Sequence, residues 1–146
     1  MFSSSPHSTL KLGQDFGETL DGSELVLFSG VLGAGKTVFI RGIAEALKVK
    51  SKITSPTFNI FRIYDCVFPK TGEKGEIYHF DAYRLKKYAD LETLGFSEIL
   101  QEKNSAILLE WPECIADKDL LAIKDRKVIL VEIGMREGEG REIKIG

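Results

Sequence analysis

The stretch Leu25-Val26-Leu27-Phe28-Ser29-Gly30-Val31-Leu32-Gly33-Ala34-Gly35-Lys36-Thr37 decides how this chain folds. Its first four residues are an apolar run of the length of a buried strand. Gly30 to Thr37 then spell G-x-x-x-x-G-K-[ST], the phosphate-binding P-loop pattern. Glycines let the backbone curl so that successive N–H groups turn inward. The helix that opens after the loop adds the positive end of its dipole. Phe39, Ile43, Ala46 and Leu47 recur at helical spacing, so a helix over 38–47 follows the loop. In this frame Lys36 reaches the β- and γ-phosphates of a nucleotide and the Thr37 hydroxyl is a ligand for Mg²⁺.

Working outward, a P-loop needs carboxylates on the metal side, and two short strands end in one. Ala106-Ile107-Leu108-Leu109 runs into Glu110, and Ile77-Tyr78-His79-Phe80 runs into Asp81. Ligands of α/β sheets sit beyond the carboxyl ends of parallel strands, which makes Asp81 and Glu110 candidates for holding Mg²⁺ or orienting an attacking water. Thr54-Ser55-Pro56-Thr57-Phe58 has the composition of a segment that a γ-phosphate and its metal could order, with Thr54 or Thr57 supplying a hydroxyl; it equally fits a Ser/Thr-Pro turn that opens a strand. His79 suits proton transfer or a structural hydrogen bond. Trp111, the sole tryptophan, suits stacking on a base or a place in the core.

The remaining chain predicts a helix from Ser8 or Thr9 to Leu20, strands over 58–67, 77–80 and 106–109, two short helices within 88–101, and a terminal hairpin over 128–135 and 141–145. Ser3 to Ser8 reads as a loose polar segment. Strands alternate with helices early and dominate late. The pattern predicts an α/β P-loop NTPase fold, a mixed β-sheet with a parallel centre flanked by helices, in one domain over 1–146.

Composition narrows the function. The chain has 146 residues, 43% of them hydrophobic and 29% charged, and a net charge of −2 with both signs interleaved. That excludes a polybasic surface for RNA, DNA or anionic membrane. No apolar run is long enough to span a bilayer, and Met1 to Pro6 has no signal-peptide pattern. Cys66 and Cys114 have neither metal-ligand nor C-x-x-C spacing, so two free thiols in a reducing cytoplasm are expected.

Four segments together carry a resemblance: G-x-L-G-A-G-K-T at Gly30 to Thr37, T-S-P-T-F at Thr54 to Phe58, H-F-D-x-Y-R-L at His79 to Leu85, and E-W-P-E at Glu110 to Glu113. Phe39-x-Arg41-Gly42 and Leu94-Gly95-Phe96 add to it. The chain resembles the TsaE family of small bacterial P-loop ATPases from about Thr9 to Val131. The resemblance implies ATP binding and hydrolysis with Mg²⁺. It also implies joint action with TsaB and TsaD in making threonylcarbamoyladenosine (t6A) next to the anticodon of tRNA. The ATP cycle would reset the partner complex for further turnovers, and tRNA would be held only through those partners.

Residue by residue, the resemblance implies that Gly33, Ala34, Gly35, Lys36, Thr37 and Val38 wrap the phosphates. Thr37 and Glu110 face Mg²⁺, Asp81 is a second acid near the metal, Thr57 lies in the switch-like segment and Thr9 contacts the nucleotide. Lys36, Thr57, Asp81 and Glu110 are then the catalytic set. Two positions depart from the family pattern: Val31 stands where an Asp is usual, and Val38 where a second Thr is usual. Val38 still offers its backbone N–H. Loss of an acid at Val31 would remove a polar contact near the γ-phosphate or with a partner. A P-loop kinase for a small acceptor is the alternative class; the chain lacks an arginine-rich lid, and phosphate transfer to an acceptor rather than to water distinguishes the two.

Overall fold

The computed structural model describes residues 1–54, 56, 60–115 and 117–146. Seven strands form one mixed sheet in the order β1-β7-β6-β2-β5-β4-β3. These are β1 (Phe2–Ser3), β2 (Glu24–Ser29), β3 (Phe61–Val67), β4 (Lys74–Asp81), β5 (Ser105–Glu110), β6 (Lys127–Met135) and β7 (Arg141–Ile145). The four central strands β6, β2, β5 and β4 are parallel to one another, and the outer pairings of β3, β7 and β1 are antiparallel. The α/β class and the parallel centre are therefore as the sequence predicts.

Alternation along the central strands fills both faces. Val26, Phe28, Ala106 and Leu108 pack with Phe39, Ile40 and Ile43 of α2 (Lys36–Ala46) and with Leu47 at its C-cap. Leu25, Leu27, Ile107 and Leu109 pack on the opposite face with Leu91, Phe96, Ile99 and Leu100, which lie on α3 (Tyr88–Glu92) and α4 (Phe96–Leu100). A strand buried on both faces needs a continuous apolar run, which is what residues 25–28 are. Ile115 and Leu120 complete the second face. They come from a 3₁₀ turn at Pro112–Ile115 and from α5 (Asp117–Leu121).

The N-terminus differs from its predicted form. Helix α1 spans Pro6–Gly17 rather than starting at Ser8 or Thr9. Ser5 is the N-cap: its side chain accepts from the Ser8 N–H at 3.2 Å while the Ser5 N–H donates to Ser8 Oγ at 3.0 Å, and Pro6 occupies the first turn. The preceding residues are not loose, because Phe2 and Ser3 pair with Glu142 and Arg141 of β7. Strand β3 is described from Phe61; the predicted start at Phe58 lies outside the described residues. The β3–β4 hairpin loop is shorter than expected, since β4 already begins at Lys74. Both cysteines are free, as expected.

Helices α1 and α2 cross at glycines. A Cβ on Gly13 would lie 2.2 Å from the Phe39 carbonyl oxygen, and a Cβ on Gly42 would lie 2.2 Å from that of Leu10. The two backbones thus touch directly, which fixes α2 and the loop at its start. For Gly42→Ala, helix propensity favours alanine by about 1 kcal/mol, but the clash is with backbone that has nowhere to move. The clash prevails, and urea denaturation should show a net loss of about 2 kcal/mol or more. Burial pushes the Cys66 thiol up to about 12, whereas Cys114 is only half-buried. Iodoacetamide at pH 8 should therefore alkylate Cys114 and spare Cys66 until denaturant is added.

Candidate functional site

The loop after β2 leaves the centre of the sheet at its carboxyl edge. Gly30, Gly33 and Gly35 have φ of 153°, 80° and 106°, and a Cβ on Gly30 would lie 2.5 Å from the Ile133 carbonyl oxygen. Gly35 is the N-cap of α2. The Ala34 N–H is used within the loop, donating to the Val31 carbonyl at 3.0 Å, and the first helical bond runs from the Phe39 N–H to the Gly35 carbonyl at 3.0 Å. The N–H groups of Lys36, Thr37 and Val38 have no carbonyl one turn back to bond. They open into a cleft of about 340 Å³ lined by residues 32–38, Asp81, Tyr83, Glu110 and Trp111.

Register brings the two acids together. Asp81 and Glu110 are paired residues of adjacent parallel strands, and Phe28 pairs with Glu110 from the other side. Strand alternation puts Asp81 in phase with Ile77, and Glu110 in phase with Ala106 and Leu108, all three on the α2 face. Asp81 Oδ1 accepts from the Tyr83 N–H at 3.0 Å. Glu110 is buried, and its Oε2 lies 2.8 Å from Nε2 of the fully buried His79. A carboxylate only accepts, so the imidazole N–H donates; Nδ1 of the same ring is buried with no partner among the described residues. The hydrogen bond ties one Glu110 oxygen back into the protein and leaves the other for the cleft. The pair gives His79 a structural hydrogen bond, the second of its two expected uses.

Lys36 is buried beneath the loop. Its ammonium donates to the Gly30 carbonyl and, at 3.2 Å, to that of Val31. It also lies 3.8 Å from the centroid of the Trp111 ring. Burial lowers its pKa, and the charges of Glu110, Glu113 and Asp81 work against that. Trp111 has φ +62°, a left-handed conformation rare for a bulky residue. It is held by its N–H, which donates to the Phe28 carbonyl at 3.2 Å, and by the Tyr83 ring at 5.0 Å. Tryptophan here is a wall of the cleft, with one face given to the lysine.

Thr37 lines the same cleft as the two acids. A hydroxyl with two carboxylates is a hard-oxygen donor set. Among the described residues no three His, Cys, Asp or Glu side chains form a metal cage. The donor set fits Mg²⁺, which is commonly held by one or two protein oxygens together with phosphate and water oxygens.

The remaining sequence-derived candidates fall as follows. Gly33, Ala34, Gly35, Lys36, Thr37 and Val38 line the cleft. Thr9 is buried behind the loop: its hydroxyl lies 2.7 Å from Ser3 Oγ and 3.2 Å from the Ser5 carbonyl, and its methyl faces Gly35. Thr57 lies outside the described residues. The Val31 side chain is 60% exposed at the tip of the loop, beside Leu32 at 80%. Sequence reasoning missed Arg141, the first residue of β7. Its Nε donates to the Ala34 carbonyl at 2.9 Å, and its Nη2 lies 3.4 Å from that of Gly33. The only signal was an arginine at the start of the last strand, far from the loop in the chain.

Known proteins resemble this chain along nearly its whole length. The family model described as threonylcarbamoyl adenosine biosynthesis protein TsaE matches residues 3–143. A protein of Aquifex aeolicus described as tRNA threonylcarbamoyladenosine biosynthesis protein TsaE is 32% identical over 143 residues, covering 97% of this chain and 90% of its own. A Rickettsia prowazekii protein with the same description is 41% identical over 112 residues, covering 76% of this chain and 72% of its own. The crystal structure of Bacillus subtilis YdiB superimposes with a TM-score of 0.72 at 25% identity, over 99% of this chain and 82% of that one. The chain belongs to the TsaE family.

Because the only tryptophan shares the cleft with Lys36, its fluorescence reports on the site. Millimolar nucleotide with Mg²⁺ should change the Trp111 emission of the native chain. Lys36→Ala should start from a different emission and respond less. An emission indifferent to both additions would separate the cleft from phosphate binding.

Proposed function

We propose that this chain is an ATP-hydrolysing accessory protein for making threonylcarbamoyladenosine on tRNA, acting in the cytoplasm with TsaB and TsaD as one domain over 1–146. Family membership supports the pathway. The observation that carries the ATPase reading is the in-register pair Asp81 and Glu110, facing the amide-lined loop across one cleft.

The chemistry is positioning and electrostatics. The N–H groups at residues 35–38 hold the phosphate oxygens, and the dipole of α2 favours their charge. Lys36 exchanges its loop carbonyls for the β- and γ-phosphates. Thr37 and Glu110, with Asp81 beside them, would hold Mg²⁺, which when bound would neutralise charge on the phosphates. Held by His79, Glu110 keeps its other oxygen on the metal side, and Asp81 beside it would orient the attacking water; Thr57 adds a hydroxyl from the segment after α2. Thr9 supports the loop from behind. The net charge of −2 gives this chain no strong field for tRNA, which the partners hold.

ATP turnover by the chain alone and with the TsaB–TsaD pair tests this. The pair should stimulate turnover, Lys36→Ala should abolish it, and Glu110→Gln should lower it on the order of a hundredfold. Phosphate delivered to a small acceptor instead of water would favour a P-loop kinase, and turnover indifferent to the pair would remove the t6A assignment.

A further inference from the structure

The carbonyls behind the phosphate loop are gripped by one side chain from the far end of the chain. Arg141 Nε donates to the Ala34 carbonyl at 2.9 Å, Nη2 lies 3.4 Å from the Gly33 carbonyl, and Nη1 donates to the Gly140 carbonyl at 2.8 Å. Arg141 is itself pinned on both sides, paired with Met135 of β6 and with Ser3 of β1. Ser3 Oγ in turn bonds the hydroxyl of Thr9, whose methyl faces Gly35. Yet Arg141 is absent from the lining of the cleft, so it touches the loop only from behind.

In a trans peptide the carbonyl and the following N–H point in opposite directions. Holding the Ala34 oxygen therefore aims the Gly35 N–H away from the guanidinium. A cationic donor on that oxygen also polarises the same peptide unit and strengthens its N–H as a donor. Gly35, at φ 106°, is the residue whose backbone is least constrained by its own side chain and most in need of an outside hold. Among the described residues no carboxylate pairs with Arg141. Its charge is spent on the backbone of the loop.

We propose that Arg141 is a positioning residue for phosphate binding: it fixes and polarises the peptide unit that carries the Gly35 N–H. The proposal rests on the ATP-binding reading given above. A lysine would keep the charge but not the two-pronged grip, so arginine is needed for its geometry.

The test measures binding of a fluorescent ADP analogue with Mg²⁺ to the native chain, Lys36→Ala, Arg141→Gln and Arg141→Lys, with thermal unfolding and the ¹⁵N–¹H resonance of Gly35. In Arg141→Gln the affinity should fall about tenfold and the Gly35 resonance should move, while the unfolding midpoint stays near that of the native chain. Arg141→Lys should recover part of the affinity. Native affinity in Arg141→Gln, or a loss matched by lost thermal stability with the Gly35 resonance unmoved, overturns the proposal. If Arg141→Gln does not fold, Arg141→Lys decides. A weaker affinity with a shifted Gly35 resonance supports the role, and native affinity overturns it. A native chain as silent as Lys36→Ala would instead overturn the ATP-binding reading itself, and this role with it.

Discussion

Hydrogen bonding of β2 on both of its edges is the constraint from which the site follows. β2 lies between β6 and β5 and is parallel to both, so its ladder is satisfied from Glu24 to Ser29 on one side and from Leu25 to Phe28 on the other. Its side chains are buried on both faces. The chain leaving such a strand has a fixed origin and direction. The next secure element, α2, is fixed by direct backbone contact with α1 at Gly13 and Gly42. Between two immovable ends, six residues make the turn, three of them glycines in left-handed conformations, and the N–H groups at 36–38 open into one cleft.

A loop that turns its N–H groups inward turns carbonyls elsewhere, and those need donors too. Lys36 serves Gly30 and Val31 from inside, and Arg141 serves Gly33 and Ala34 from outside. The outside donor depends on β7, which depends on pairing with β6 and β1. The charged N-terminus of Met1 donates to the Ile143 carbonyl at 2.7 Å, and Ser3 links β1 to Thr9 of α1. Both ends of the chain thus meet behind the phosphate loop. This gives a physical reason for the position of Thr9, which supports the loop although it is absent from the cleft lining.

The parts of the site legible in the sequence are those set by local pattern. The glycine spacing located the loop, and short strands running into Asp81 and Glu110 placed both acids at strand ends. The cap of α1 was also locally legible, since Ser5-Pro6-His7-Ser8 carries a capping box with proline in the first turn; its polar composition made it look like a tail. What stayed hidden depends on contacts between distant segments. His79 and Glu110 are 31 residues apart, and Arg141 is 107 residues from Ala34, so no spacing rule joins them. The two-residue β1 exists only because β7 leaves an edge to pair with. The left-handed backbone of Trp111 has no sequence signal, since tryptophan is among the residues least suited to it.

On the proposed ATP-binding reading, charge balance gives a divalent cation a role in such a cleft. The groups that act on Lys36 are three carboxylates, Glu110, Glu113 and Asp81, against one ammonium. A nucleotide triphosphate brings several further negative charges to the same place. At separations near 4 Å each like-charge pair costs about 4 kcal/mol at the effective dielectric of a protein surface. One lysine and a helix dipole worth about half a charge do not offset that. Arg141 adds positive charge from behind, but its donors are committed to carbonyls. A cation held by Thr37 and the carboxylates would offset these repulsions. The two acids that would repel a bare phosphate would then favour a metal-bound one.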